Sequence, residues 1–422
     1  MRRIRRTVKE LGPGFVTGAS DDDPAGIATY SQTGAQFGYQ QVWAAPFSFP
    51  FMTVVQEMSG RIGIVTGRGL ASVMRTHYPQ PILWGGVATL LVANIINIGA
   101  NLGAMAASTR LIVDIPFISL LLAFTFGTLL VQVFVPYHSY VRVLKYLALS
   151  LGAYILTAFA VNQEWHQIFR HMVLPTLSLE RAFLLNIVAI LGTTISPYLF
   201  FWQASEEAEE NVRTGKMKRM GWGRPHINMR DIRRMRRDTI IGMLLSNVVM
   251  FFIIITAAST LGAAGITTVE TADQAAAALE PLAGRFASLL FALGIIGTGL
   301  LAVPILAGSV SYAVAEMFRW KSGLSLRAEK AVGFYTVLAA ATFVGLFVNF
   351  LPIEPFRLLY FTAVLNGFAA PPIIIMMLFI ANNKKIMGKY TNGWFSNMLG
   401  WGIVLIMGGS ALMLLASLVG LW

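Results

Sequence analysis

The sequence has no cysteine, and only 12% of its 422 residues are charged. The first absence excludes disulfides, thiolate metal centres and cysteine nucleophiles. The second excludes an ordinary soluble domain, in which roughly 25% of residues carry charge. Histidine is scarce as well. The five present, His77, His138, His166, His171 and His226, form no H-x-x-x-H pair, which argues against a zinc site. No nucleophile and base stand at catalytic spacing, so an enzyme is not expected and no cofactor is called for. No short apolar core with a small-residue cleavage site follows the basic start, so no cleaved leader is expected.

What fills the chain is apolar: 56% hydrophobic residues and a mean hydropathy of +0.65. A bilayer core takes about 20 apolar residues per helix. About eleven such runs stand near 13–38, 42–66, 81–107, 113–134, 140–161, 180–204, 238–262, 284–316, 331–350, 356–381 and 397–420. The even-numbered loops are basic. They hold Arg68, Arg75 and His77, then Arg142 and Lys145, then ten lysines and arginines between Asn211 and Asp238, then Arg319, Lys321, Arg327 and Lys330, then Lys384, Lys385 and Lys389. The loop 263–283 carries Glu270, Asp273 and Glu280 and no base. This asymmetry predicts a multi-pass protein of the cell (inner) membrane, amino terminus cytoplasmic and carboxyl terminus outside. The net charge of +12 then reads as a topology signal resting on anionic lipid, with no nucleic-acid partner. A monomer is expected.

Two of the runs are interrupted. In the first, Gly18-Ala19-Ser20-Asp21-Asp22-Asp23-Pro24-Ala25-Gly26 sets three carboxylates and a proline where a membrane helix has its middle. Charge at that depth costs at least about 2.5–3.5 kcal/mol per group, and irregular backbone is tolerated only where it is buried in protein or lines a wet cavity. The pattern predicts a broken helix that presents carboxylates and carbonyls to a cation. In the sixth run, Gly192-Thr193-Thr194-Ile195-Ser196-Pro197-Tyr198 repeats the device five spans later. Paired breaks in corresponding halves point to a transporter binding site built on inverted repeats.

The residues around these breaks resemble the NRAMP divalent-metal transporters: Gly12-Pro13-Gly14-Phe15, Asp23-Pro24, Gly34-Ala35-Gln36-Phe37-Gly38-Tyr39 and Arg61-Ile62-Gly63-Ile64-Val65-Thr66-Gly67-Arg68. The match is dense over the first two spans and sparser, though colinear, beyond. The resemblance implies an all-α polytopic membrane protein of LeuT-like fold, with two inverted five-helix repeats plus one extra helix. One transporter domain would take in 1–422, with repeat one about 11–161, repeat two about 180–381 and the extra helix about 397–420.

Typical members carry DPGN in the first span and MPH in the sixth, and import manganese or iron with protons. Here Gly26 replaces the amide, Ser196 the thioether and Tyr198 the histidine. Acidic positions of the proton route in the third span fall on Asn94, Asn101 and Ala104. The chain therefore looks more like the NRAMP-related magnesium transporters. Ligand chemistry points the same way. Without a soft thioether only oxygen donors remain, which suit magnesium and manganese, and smaller side chains leave room for the waters magnesium keeps. Asparagine cannot relay protons in a membrane.

The expected metal site is Asp23, with Ser20, Asp21, Asp22, Gly26, Thr193 and Ser196 around it, and magnesium or manganese as transported substrate. Asp23 can alternatively cap the unwound helix by accepting from free backbone amides, and Asp21 and Asp22 can alternatively set only the potential of a vestibule. Thr193 and Ser196 can alternatively bond back to the preceding turn. Tyr198 is expected to pack with its hydroxyl in the cavity. A third break is expected at Asn366-Gly367 before Pro371-Pro372, with Asn366 a contact for the ion's water shell. Asn94, Asn97 and Asn101 read as one interhelical polar stripe, with the lining of a permeation path as the alternative. Glu57 and Arg61 read as a helix-face pair near an inner gate. Glu206, Glu207, Glu209 and Glu210 read as balancing the basic loop that follows, with gathering of divalent ions near the exit as the alternative. A proton-coupled manganese or iron importer is the alternative within the class. Sodium-coupled amino-acid uptake is the alternative outside it, and three acids would repel such a substrate's carboxylate.

Overall fold

The computed structural model describes residues 12–135 and 148–419; the basic start, Arg142 and Lys145 lie outside them. All regular structure among the described residues is helical. In chain order the α-helices are α1 (Pro13–Asp21), α2 (Pro24–Phe37), α3 (Ala44–Thr66), α4 (Leu70–His77), α5 (Gln80–Arg110), α6 (Phe117–Phe134), α7 (Gly152–Ala160), α8 (Trp165–Val173) and α9 (Arg181–Thr194). They continue with α10 (Pro197–Arg213), α11 (Met229–Ala257), α12 (Ala272–Ala277), α13 (Glu280–Ala283), α14 (Ala287–Met317), α15 (Val332–Val348), α16 (Pro355–Asn382), α17 (Lys384–Met387) and α18 (Trp394–Leu418).

Among the described residues, seven segments are long and apolar enough to cross a membrane: α5, α6, the α9–α10 pair, α11 with its terminal π-turn, the stretch ending in α14, α16 and α18. The other four expected runs are accounted for differently. The first is split into α1 and α2, neither of membrane length. Gln56, Glu57 and Arg61 lower the apolarity of α3. Helix α15 has 17 residues. The run 140–161 is described only from residue 148 onward, as a 3₁₀ turn and α7.

Both expected breaks are present and follow from local chemistry. Asp23 is the N-cap of α2, its Oδ1 accepting from the Gly26 N–H at 2.9 Å, and Pro24 opens the helix. Pro197 opens α10 in the same way, with Ser196 as N-cap. Proline at the first helical position loses a donor that had no partner anyway. The third break is not there. Helix α16 runs through Asn366, Gly367, Pro371 and Pro372 without interruption. The sixth loop is also shorter than the sequence suggested. Asn228 and Asp231 form a capping box that starts α11 at Met229, so Arg230, Arg233, Arg234, Arg236 and Arg237 sit on helix rather than loop.

The two broken helices occupy the middle of the packing. Helix α1 lies along α11, α2 touches α11 and α16, α9 lies along α16, and α10 lies along α3 and α14. Close approach decides the first of these contacts. A Cβ on Gly18 would overlap the Gly242 backbone, and one on Gly14 would come within 3.0 Å of Thr239 Cα. Asp238 fastens the same pair by accepting from the N–H groups of Gly12 (3.0 Å) and Phe15 (3.2 Å) at the start of α1.

Candidate metal site between two broken helices

The breaks face each other. Tyr198, in the first turn of α10, donates to the carbonyl of Ser20 near the end of α1 at 3.4 Å. A Cβ built on Gly26 would lie 3.5 Å from Thr193 Oγ1, 3.2 Å from the Asp21 carbonyl and 3.3 Å from the Tyr30 ring. Gly26, Thr193 and the end of α1 therefore border one small space, and any side chain at 26 would intrude on it. All seven expected site residues are buried in the protein interior.

The side chains divide the expected set. Asp23 Oδ2 is buried without a hydrogen-bond partner, while Oδ1 holds the α2 cap. Tyr198 and Asn101 flank this carboxyl. Asp21 and Asp22 turn instead toward α11. Ser246 Oγ lies 2.6 Å from Asp21 Oδ2 and 3.1 Å from Asp22 Oδ1. No group of three or more acidic or histidine side chains converges on one point among the described residues. The reading of Asp21 and Asp22 as vestibule charges meets the same geometry: both are buried, at 0% and 3% exposure.

Ser20 and Ser196 use their hydroxyl protons at home. Ser20 Oγ donates to the Val16 carbonyl at 2.7 Å, so the backbone carbonyl is what Ser20 presents to α10. Ser196 Oγ lies 2.8 Å from the carbonyls of both Gly192 and Thr193, the back-bonded geometry. Its lone pairs stay available as oxygen donors. Asn366 is buried on α16, whose neighbouring Ala363 and Gly367 pack on Gly192.

The surrounding polar residues fall into structural roles. Asn94 donates to Leu306 O (3.2 Å) and Ser309 Oγ (2.7 Å) on α14, and Thr362 on α16 donates to Asn97 Oδ1 at 3.3 Å. Asn101 closes the stripe by donating to Asn97 Oδ1 at 2.9 Å. Glu57 pairs with Arg61 at 3.0 Å and with Arg236 of α11 at 2.6 Å. Arg61 also donates to the Tyr390 carbonyl at 2.6 Å, tying α3 to the segment before α18. The glutamates of α10 do not jointly balance the basic loop. Glu210 meets Arg213, but Glu209 accepts from Tyr312 and from the N–H groups of Leu324 (2.9 Å) and Ser325 (3.2 Å).

Sequence reasoning missed Ser246 and Tyr30. Their only signal was a polar group inside an apolar run, which membrane helices tolerate for many reasons.

A family model described as natural resistance-associated macrophage protein-like (Nramp) matches residues 14–417. The chain is 27% identical over 416 residues to the divalent metal cation transporter MntH of Klebsiella pneumoniae subsp. pneumoniae, across 96% of this chain and 93% of that protein. Among solved structures it is similar to the Eremococcus coleocola manganese transporter in complex with an aromatic bis-isothiourea substituted compound. The TM-score is 0.73 at 18% identity, over 97% of this chain and 85% of that one. It is also similar to Mhp1, a nucleobase–cation-symport-1 family transporter in a closed conformation, with a TM-score of 0.61 at 14% identity over 97% and 89% of the two chains. Both likenesses show the fold, which is the LeuT-like arrangement the family resemblance implied.

Proposed function

The chain belongs to the Nramp family, and from that premise we infer that it carries small divalent cations across the membrane, magnesium and also manganese, into the cell by alternating access. The observation that carries the reading is the donor set at the paired breaks. Tyr198 flanks the unpartnered Asp23 carboxyl and donates to the Ser20 carbonyl, Thr193 Oγ1 borders the space at Gly26, and Ser196 caps the facing break. These are hard oxygen donors. They suit an ion that is held by one or two carboxylates and keeps part of its water. Where relatives of the family carry a thioether, Ser196 supplies oxygen, so a soft ion loses the contact that would favour it.

Alternating access would work around these breaks, with the basic face cytoplasmic. Asp238 and the Glu57–Arg61–Arg236 group sit toward that face and hold α1, α3 and α11 together. Their release would free the ion inward. An inside-negative potential supplies about 4.6 kcal/mol per 100 mV to a doubly charged ion, twice the single-charge figure. That drive makes a proton gradient dispensable, and the asparagine stripe on α5 offers no group to carry one.

The experiment is flux into proteoliposomes holding a pH dye. Manganese or magnesium entry should proceed without acidification of the lumen. Metal-driven proton entry at a fixed ratio would instead support the proton-coupled alternative. Ser196→Met tests the donor argument separately. It should raise the apparent affinity for cadmium about tenfold relative to magnesium, a shift of ~1.4 kcal/mol. An unchanged cadmium-to-magnesium ratio would remove Ser196 from the ion's surroundings.

A further inference from the structure

We propose that Asp21, Asp22 and Ser246 form a second cation site, filled by sodium, beside the divalent site at Asp23. The inference rests on the divalent reading of Asp23 and adds a co-ion to it. Three carboxylates, none more than 3% exposed, stand within three consecutive positions, and no ion pair among the described residues involves any of them. A bound dication leaves one negative charge uncompensated in a buried place, where an unpaired charge is strongly disfavoured.

The geometry says where that charge remains. Asp23 turns toward Tyr198 and Asn101, while Asp21 and Asp22 turn toward α11. Ser246 has a single proton to share between the two carboxylates, at 2.6 and 3.1 Å. Asp21 Oδ1 is left buried with no donor at all, and the Tyr30 hydroxyl nearby is likewise buried without a partner. Two carboxylates and two hydroxyls offer oxygen donors alone, and the three carboxylates together carry one charge more than a dication cancels, which fits a monovalent hard cation. The pocket also joins the end of α1 to α11, the helix that already grips α1 through Gly242 and Asp238. Filling it would hold the Asp23 break in its binding geometry, so the two ions should favour each other's binding.

The test measures radiolabelled sodium binding and manganese binding to the full-length protein in detergent, with choline replacing sodium as the control. Wild-type protein should bind one sodium saturably, and sodium should raise apparent manganese affinity at least about fivefold, the lower end of usual coupling. Asp21→Asn and Ser246→Ala should lose sodium binding and the sodium effect while still binding manganese. Asp23→Asn should lose manganese and keep sodium. No saturable sodium binding in a wild-type protein that binds manganese would overturn the proposal and assign the extra charge to a proton. Loss of sodium in Asp23→Asn together with Asp21→Asn would overturn it by merging the two sites. Failure of the wild type to bind any dication would instead overturn the divalent reading on which it rests.

Discussion

Asp23→Ala should abolish divalent-cation uptake, a loss of at least about a hundredfold, corresponding to roughly 3 kcal/mol. Two effects combine in that variant. It removes the buried, unpartnered carboxylate oxygen that Tyr198 and Asn101 flank. It also removes the N-cap of α2, worth about 1 kcal/mol. Asp23→Asn separates the two, because asparagine caps a helix about as well as aspartate. The asparagine variant should keep the wild-type melting temperature and still fail to transport. Uptake near the wild-type rate in Asp23→Asn would take Asp23 out of the metal site.

The second large effect is mechanical. Gly18→Val should destabilise the protein by about 3 kcal/mol or more, at or beyond the upper end of ordinary overpacking. The reason is that the added Cβ meets the backbone of Gly242, which has no side chain to move aside. Helix α1 would then lift from α11, carrying Asp21, Asp22 and Asp23 with it. The expected results are a lower melting temperature in detergent, an earlier-aggregating fraction on size exclusion, and little uptake. Wild-type stability together with wild-type uptake in Gly18→Val would show that the α1–α11 contact is not tight.

Much of this arrangement is legible in the amino-acid order because membrane helices obey few rules strictly. Apolar length marks the spans, and a carboxylate beside a proline inside one has few structural explanations. The break at Asp23-Pro24 and its partner at Ser196-Pro197 were therefore readable. Pro371-Pro372 looked like a third break and is not one. Proline in a membrane helix is compatible with a continuous axis when neighbouring helices pack around it, and α16 is packed on both α5 and α9. The start of α11 is hard to read because five arginines there hide its helical periodicity, whereas the Asn228–Asp231 capping box defines it. The direction of each carboxylate was beyond sequence reasoning. Asp21 ends α1, Asp22 lies in the break and Asp23 is extended at the start of α2, so adjacency in the chain does not bring all three carboxylates to one ion. Which neighbour they meet depends on α11, a helix more than two hundred positions away.

The most direct measurement is a competition panel in proteoliposomes, with manganese flux read against added magnesium, calcium and cadmium, and magnesium entry followed by a lumenal indicator. If oxygen donors at the two breaks select the cargo, magnesium enters and suppresses manganese flux at concentrations where cadmium has no advantage. A protein that excludes magnesium, is indifferent to it as a competitor, and favours cadmium would contradict the account.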